Sequence, residues 1–257
     1  MEYLLFRLYG PMASWGEIAV GEMRHSDIKP SKSALVGLLG AALGLGRDDE
    51  ENQSMLAASY RFAVRMHATG QLMRDYHTAQ APDSAGKFSY KTRRDELVVG
   101  RHRLGTVLST REYRTDSMAI VALAAGTAAP WSLAKLKGAL LKPRFHLYLG
   151  RKSCPLAAPL NPQIVQADGF LEAFEQYQPG DLLMDERPWC SDERWLPPDT
   201  VQHYYWEGSI EDFSSDGGQF DRTQVRELRR LDQPLSRQRW QFEPRKEFHW
   251  MKAMESR

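Results

Sequence analysis

The chain has 257 residues, 42% of them hydrophobic and 26% charged. That is enough apolar material for a real core and excludes wholesale disorder. The two cysteines, Cys154 and Cys190, exclude a disulfide framework and a cysteine-based zinc site, and no window approaches the ~18 uninterrupted apolar residues of a spanning helix. The first ten residues carry Glu2 and Arg7 and lack the order of a signal peptide, so a cytoplasmic protein is expected. The formal charge of +1 hides an asymmetry: residues 1–167 carry +8, residues 168–221 carry −12 and residues 222–257 carry +5. Either one surface suits a polyanion, or the acidic segment pairs internally with a basic one.

Residues 3–9 (YLLFRLY) are apolar and aromatic and stop at Gly10-Pro11, which predicts a first strand buried on both faces. After a loop holding Trp15, Ser31 or Ser33 is placed to cap an apolar helix, and Gly44 or Gly46 to end it. Gly37 and Gly40 each cost that helix about 1 kcal/mol relative to Ala, so they imply a very close approach to a sheet. The acidic run 48–51 predicts a second short helix, to about Ser59. Residues 61–67 alternate as a strand. Residues 79–110 are polar and basic, with Pro82, Gly86, Gly100 and Gly105. They read as a protruding hairpin or arm with alternating pieces at 87–92 and 96–103. A core strand is expected at 118–124, a helix behind Pro130 at 131–141, and a further strand at 145–149. Residues 156–200 are Pro-rich and acidic with a short helix at 170–177; 201–213 suit a strand, 214–219 a turn and 222–231 a basic helix.

The order through residue 150 is strand, helix, strand, arm, strand, helix, strand. This is the βαββαβ order of a ferredoxin-like (RNA-recognition-motif-like) body in an α+β protein. Such sheets often bind RNA on one face. Residues 1–160 would form the body, with the arm at 79–110, and residues 161–257 a β-containing extension packed on it.

Three clusters carry candidate chemistry. In Arg74-Asp75-Tyr76-His77-Thr78, Tyr76 and His77 could act as general acid and base on an RNA 2′-hydroxyl, or sit at a strand edge and merely stack. The stretch from Lys142 to Ser153 holds Lys142, Arg144, Arg151 and Lys152, no acid, and Phe145 and Tyr148 between them. Cations interleaved with aromatics suit phosphates and stacked bases; the same pattern also fits a helix end followed by a core strand. The arm and its flanks hold Lys87, Lys91, Arg93, Arg94, Arg101, Arg103, Arg111 and Arg114, an excess over their acids. Finally, Lys32 and Ser33 at a helix start, with Trp15 in the neighbouring loop, suit an RNA backbone or a flipped base. The Walker spacing is absent and the seven histidines form no metal-ligand motif, so no cofactor and no metal are expected.

The blocks GPMASWG (10–16), PSKSALVGLLGAALGL (30–45), RDYHT (74–78), REY (111–113) and LKPRFHLYLGRKSCPL (141–156) occur in that order. Together they resemble the CasD family, the subunit of type I-E Cascade that holds the 5′ handle of CRISPR RNA. The resemblance covers roughly residues 3–160. It implies a ferredoxin-like body with a thumb-like arm, and a non-catalytic RNA-binding subunit of an antiviral surveillance complex that caps the backbone filament. It implies CRISPR RNA, backbone subunits, the large target-inspecting subunit and target DNA as partners. Relatives in another subtype cut precursor RNA with Tyr, Lys and His, so a metal-independent endoribonuclease is the alternative.

Overall fold

The computed structural model describes residues 1–19, 21–83, 89–182, 192–214 and 220–254. Lys87, Gly86, Cys190 and most of the expected turn at 214–219 lie outside the described residues. In chain order the elements are β1 (Glu2–Ala13), β2 (Trp15–Gly16), β3 (Met23–Arg24), β4 (Ser26–Asp27), α1 (Lys32–Leu43), α2 (Glu50–Ser59), β5 (Tyr60–Ala68), β6 (Gln71–Pro82) and α3 (Arg93–Leu97). There follow β7 (Leu104–Ala125), α4 (Leu133–Leu141), β8 (Gln163–Gln166), α5 (Phe170–Gln176), α6 (Asp192–Trp195), β9 (Val201–Trp206), β10 (Arg226–Ser236) and β11 (Gln241–Ala253). Among the described residues no helix is long and apolar enough to cross a membrane.

The chain is a mixed α/β protein built on one mostly antiparallel sheet. Its central strands lie in the order β10-β11-β9-β5-β7-β1-β8. Strand alternation sorts the core into two faces. Leu4, Phe6, Leu8, Val121 and Leu123 point to the side of α1, α2 and α4, whereas Tyr3, Leu5, Ile120 and Ala122 point to the side of α5. Both faces are covered, so neither is an open RNA platform of the expected kind.

Local chemistry explains most boundaries. Ser31 caps α1 by accepting from the Ala34 amide, and Gly44 ends it in the left-handed region. Asp49 caps α2 and Ser132 caps α4. β7 is 22 residues long. Its second half is a core strand between β1 and β5, and its first half pairs with β6 in a ribbon that runs from Gln71↔Thr115 to Pro82↔Leu104. The described parts of the basic stretch, 79–83 and 89–110, form the distal part of this ribbon.

Three expectations are corrected. Residues 145–149 form no strand; the strand beside β1 is β8. The amides of Arg144 and Phe145 instead donate to the Ala42 and Ala41 carbonyls at the end of α1, and Leu149 accepts from the Ser14 amide. Residues 222–231 form no α-helix: a short 3₁₀ turn leads into β10, which pairs with β11. Gly37 and Gly40 do not face the sheet. A Cβ on Gly37 would sit 2.8 Å from the Arg237 guanidinium, and one on Gly40 would sit 3.1 Å from the Gln53 amide.

Candidate nucleic-acid interface

The hairpin β10–β11 folds back over the N-terminal half of α1, and together with the 14–18 and 145–151 segments it encloses a cavity of about 910 Å³. The cavity has two electrostatic ends. At one end Arg230 meets Asp27, Glu247 and Glu17, and Asp232 is gripped by Arg245 at 2.6 Å. Burial raises the Glu247 carboxyl, but Lys29 and Arg245 outweigh it and hold it below the usual carboxylate range. This end is neutralised internally.

The other end carries uncompensated cations. Arg47 and Arg237 line it and meet no carboxylate among the described residues. The Arg237 guanidinium lies across Gly37 and donates to the Ser33 carbonyl, while its Nε is buried with no acceptor. Arg151 stacks on Tyr113 with its Cζ 4.9 Å from the ring centroid, and its Nη1 is likewise buried without a partner. Gly150 makes this loop possible: its φ is +83°, and any Cβ would strike the Ser14 carbonyl oxygen at 1.8 Å. Trp240, 60% exposed, stands at the hairpin turn under the Arg47 guanidinium.

The sequence-derived residues divide clearly. Lys142, Arg144 and Lys152 are exposed just beyond α4, and Tyr148 is half-buried on the cavity wall. Ser33 lines the cavity. Lys32 is not available to a phosphate: its Nζ lies 2.7 Å from Glu207 and is buried. Nor is the start of α1 an open anion site, because the Lys32 amide already donates to the Asp232 carboxylate at 2.8 Å. Trp15 presents no stacking face. It is 4% exposed and belongs to the core on the helix side, where its bulk supports the Gly150 loop.

On the ribbon, Arg74 donates to Glu112 at 3.1 Å, and Arg111 pairs in register with Asp75. Tyr76 is 64% exposed, and His77 contacts Asp75 at 3.1 Å. As neighbours in a strand, Tyr76 and His77 project from opposite faces and do not converge on one reacting atom. At the tip Arg93 pairs with Glu96 and Arg103 with Asp83, whereas Lys91 and Arg101 stay exposed. The ribbon cations and the cavity are therefore separate surfaces. Sequence reasoning missed Arg237 and Trp240 in the hairpin turn and Arg47, far from them in the chain; an arginine opposite a helical glycine leaves no local pattern.

Fold and site together define a mixed α/β protein with an arginine-rich cavity over its first helix and a basic β-ribbon. Residues 3–247 match the family described as CRISPR-associated protein (Cas_Cas5). The chain is 37% identical over 196 residues to the CRISPR system Cascade subunit CasD of Escherichia coli (strain K12), covering 72% of this chain and 81% of that protein. The chain belongs to this CRISPR-associated family. A chain of a CRISPR RNA-guided surveillance complex shares the fold, with a TM-score of 0.63 and 22% identity over 98% of this chain and 90% of that one. A Cas protein crystal structure gives a TM-score of 0.57 and 26% identity, over 98% and 93%.

Proposed function

We propose that this protein is a non-catalytic, RNA-binding Cascade subunit that holds the 5′ handle of CRISPR RNA and caps one end of the backbone filament. The observation that carries this reading is the 37% identity to a Cascade subunit across 72% of the chain. The exposed cations Lys142, Arg144 and Lys152, beside the unpaired Arg151, supply the phosphate contacts. The four strands β5-β7-β1-β8, all antiparallel and joined strand–helix–strand–strand–helix–strand, support a ferredoxin-like reading of the body. The strands after residue 200 extend that sheet as a C-terminal addition. The ribbon, with exposed Tyr76, Val98 and Val107 among its cations, offers contact surface to the guide and to neighbouring backbone subunits; the large subunit and target DNA join in the assembled complex. The opposed side chains of Tyr76 and His77 argue against the endoribonuclease alternative.

Fluorescence anisotropy with a labelled repeat-derived handle and a scrambled RNA of equal length tests this. The handle should bind more tightly, and Lys142→Ala/Arg144→Ala should flatten the log–log salt slope by about 1.4, or about 0.7 per single-strand phosphate. Equal affinity for both RNAs with an unchanged slope contradicts the assignment. Metal-independent cleavage of repeat RNA by the purified chain would favour the nuclease.

A further inference from the structure

The cavity under the β10–β11 hairpin is not accounted for by the cations after α4. Its volume, about 910 Å³, lies in the ~300–1,000 Å³ range of sites that take small ligands. Its open end is built for an anion. Arg237 is held over α1 by the absence of a side chain at Gly37, meets no carboxylate among the described residues, and keeps a buried Nε without an acceptor. The guanidinium has one N–H on the Ser33 carbonyl and no carboxylate partner among the described residues, so it keeps donor capacity for an acceptor in the cavity. Burial, with Arg47 beside it, lowers the Arg237 guanidinium from its ordinary value, the reverse of what an acidic neighbour would do.

The same end is also built for a planar ring. Trp240 has a φ of 52°, a backbone conformation costly for a bulky residue. It nonetheless remains 60% exposed at the turn, with Arg47 5.7 Å from its ring centroid. An exposed indole beside two arginines without acidic partners is the combination that single-stranded nucleic acid uses, with base on ring and phosphate on guanidinium.

We propose that this cavity takes one nucleotide of single-stranded RNA, its base stacked on Trp240 and its phosphate held by Arg237 and Arg47. The inference rests on the RNA-binding reading above and adds a second contact point to it, contributed by the C-terminal hairpin. Gly37 is then a specificity feature of the helix: it leaves Arg237 room to lie at the base of the site.

The test titrates the full-length chain and its variants with fluorescein-labelled repeat-derived single-stranded RNA over a range of salt. Trp240→Ala should weaken binding about tenfold, with Trp240→Phe restoring most of it. Arg47→Ala, at an exposed position that leaves the core untouched, should cut the log–log salt slope by about 0.7, as should Arg237→Gln. If the wild-type chain binds RNA and loses affinity in Lys142→Ala/Arg144→Ala, but Trp240→Ala and Arg47→Ala match wild type in affinity and slope, the nucleotide site is wrong and the RNA-binding reading stands. If the wild-type chain binds no RNA, both fall.

Discussion

Lys29 and Lys32 flank the entry to α1, where two cations would ordinarily be read as phosphate ligands, yet each is consumed inside the protein. Lys29 Nζ lies 2.9 Å from Glu247 and Lys32 Nζ lies 2.7 Å from Glu207, all four side chains being largely buried. These pairs fasten the C-terminal strands to the helix start. Stranding a buried charge with no other partner costs about 3–5 kcal/mol, but Glu247 keeps Arg230 and Arg245 when Lys29 is lost, so the cost there is smaller, about 1–3 kcal/mol. Lys29→Ala should therefore lower the urea midpoint by that equivalent without changing the salt slope of RNA binding; a loss below 1 kcal/mol would mean the pair is not buried in solution. A second residue-scale effect concerns pH. His203 Nδ1 and His249 Nε2 are 3.1 Å apart. Burial, then His203, lowers His249 to about 4, and burial also lowers His203. An unfolded histidine titrates near ~6.5, so between ~6.5 and ~4 the unfolded chain binds more protons, and stability falls as pH falls. The melting temperature should drop between about pH 7 and about pH 5, and less so in His249→Gln; parallel profiles would remove the pair from the account.

Elements with ordinary caps and buried apolar runs were legible in the sequence. β1, α1 with Ser31 and Gly44, β5, the core half of β7, and α5 were read within a few residues of where they lie. The failures have two causes. In β10, Leu228, Leu231 and Leu235 have a helical spacing, but the side chains turned inward include Arg230 and Asp232, which are half-buried and held by ion pairs. A strand that packs charges inward, with register shifts after Arg230 and Pro234, breaks the period-two signal. The 145–149 segment misled in the opposite way: Leu147 and Leu149 alternate and are buried, but the Arg144 and Phe145 amides donate to α1 and the Leu149 carbonyl accepts from the Ser14 amide. The site followed suit. The cations after α4 were legible because they are contiguous, while Arg47, Arg237 and Trp240 meet only through the hairpin. Replacing residues 83–103 by a tight turn should leave handle binding within about tenfold, ~1.4 kcal/mol, while impairing assembly with backbone subunits in a pull-down. Complete loss of handle binding would move the main RNA site onto the ribbon.

At the scale of the whole molecule the sheet sets α5 of the acidic segment opposite the 142–152 cations. Among the described residues of the acidic segment, α5 and Phe213 pack on one face, whereas α1, α4, the 142–152 cations and the cavity lie on the other. Part of the acidic surplus is spent internally, Asp212 on Arg61 at 2.5 Å and Glu207 on Lys32; the remaining carboxylates would repel a polyanion from that face. The near-zero net charge is thus compatible with a strongly one-sided RNA partner. Ultraviolet crosslinking of photoreactive handle RNA to the full-length chain, mapped by mass spectrometry, tests this most directly. The account predicts crosslinks at residues 142–152 and at Trp240, and none within 168–182 or 207–213. Crosslinks in the acidic segment with none at 142–152 would contradict it.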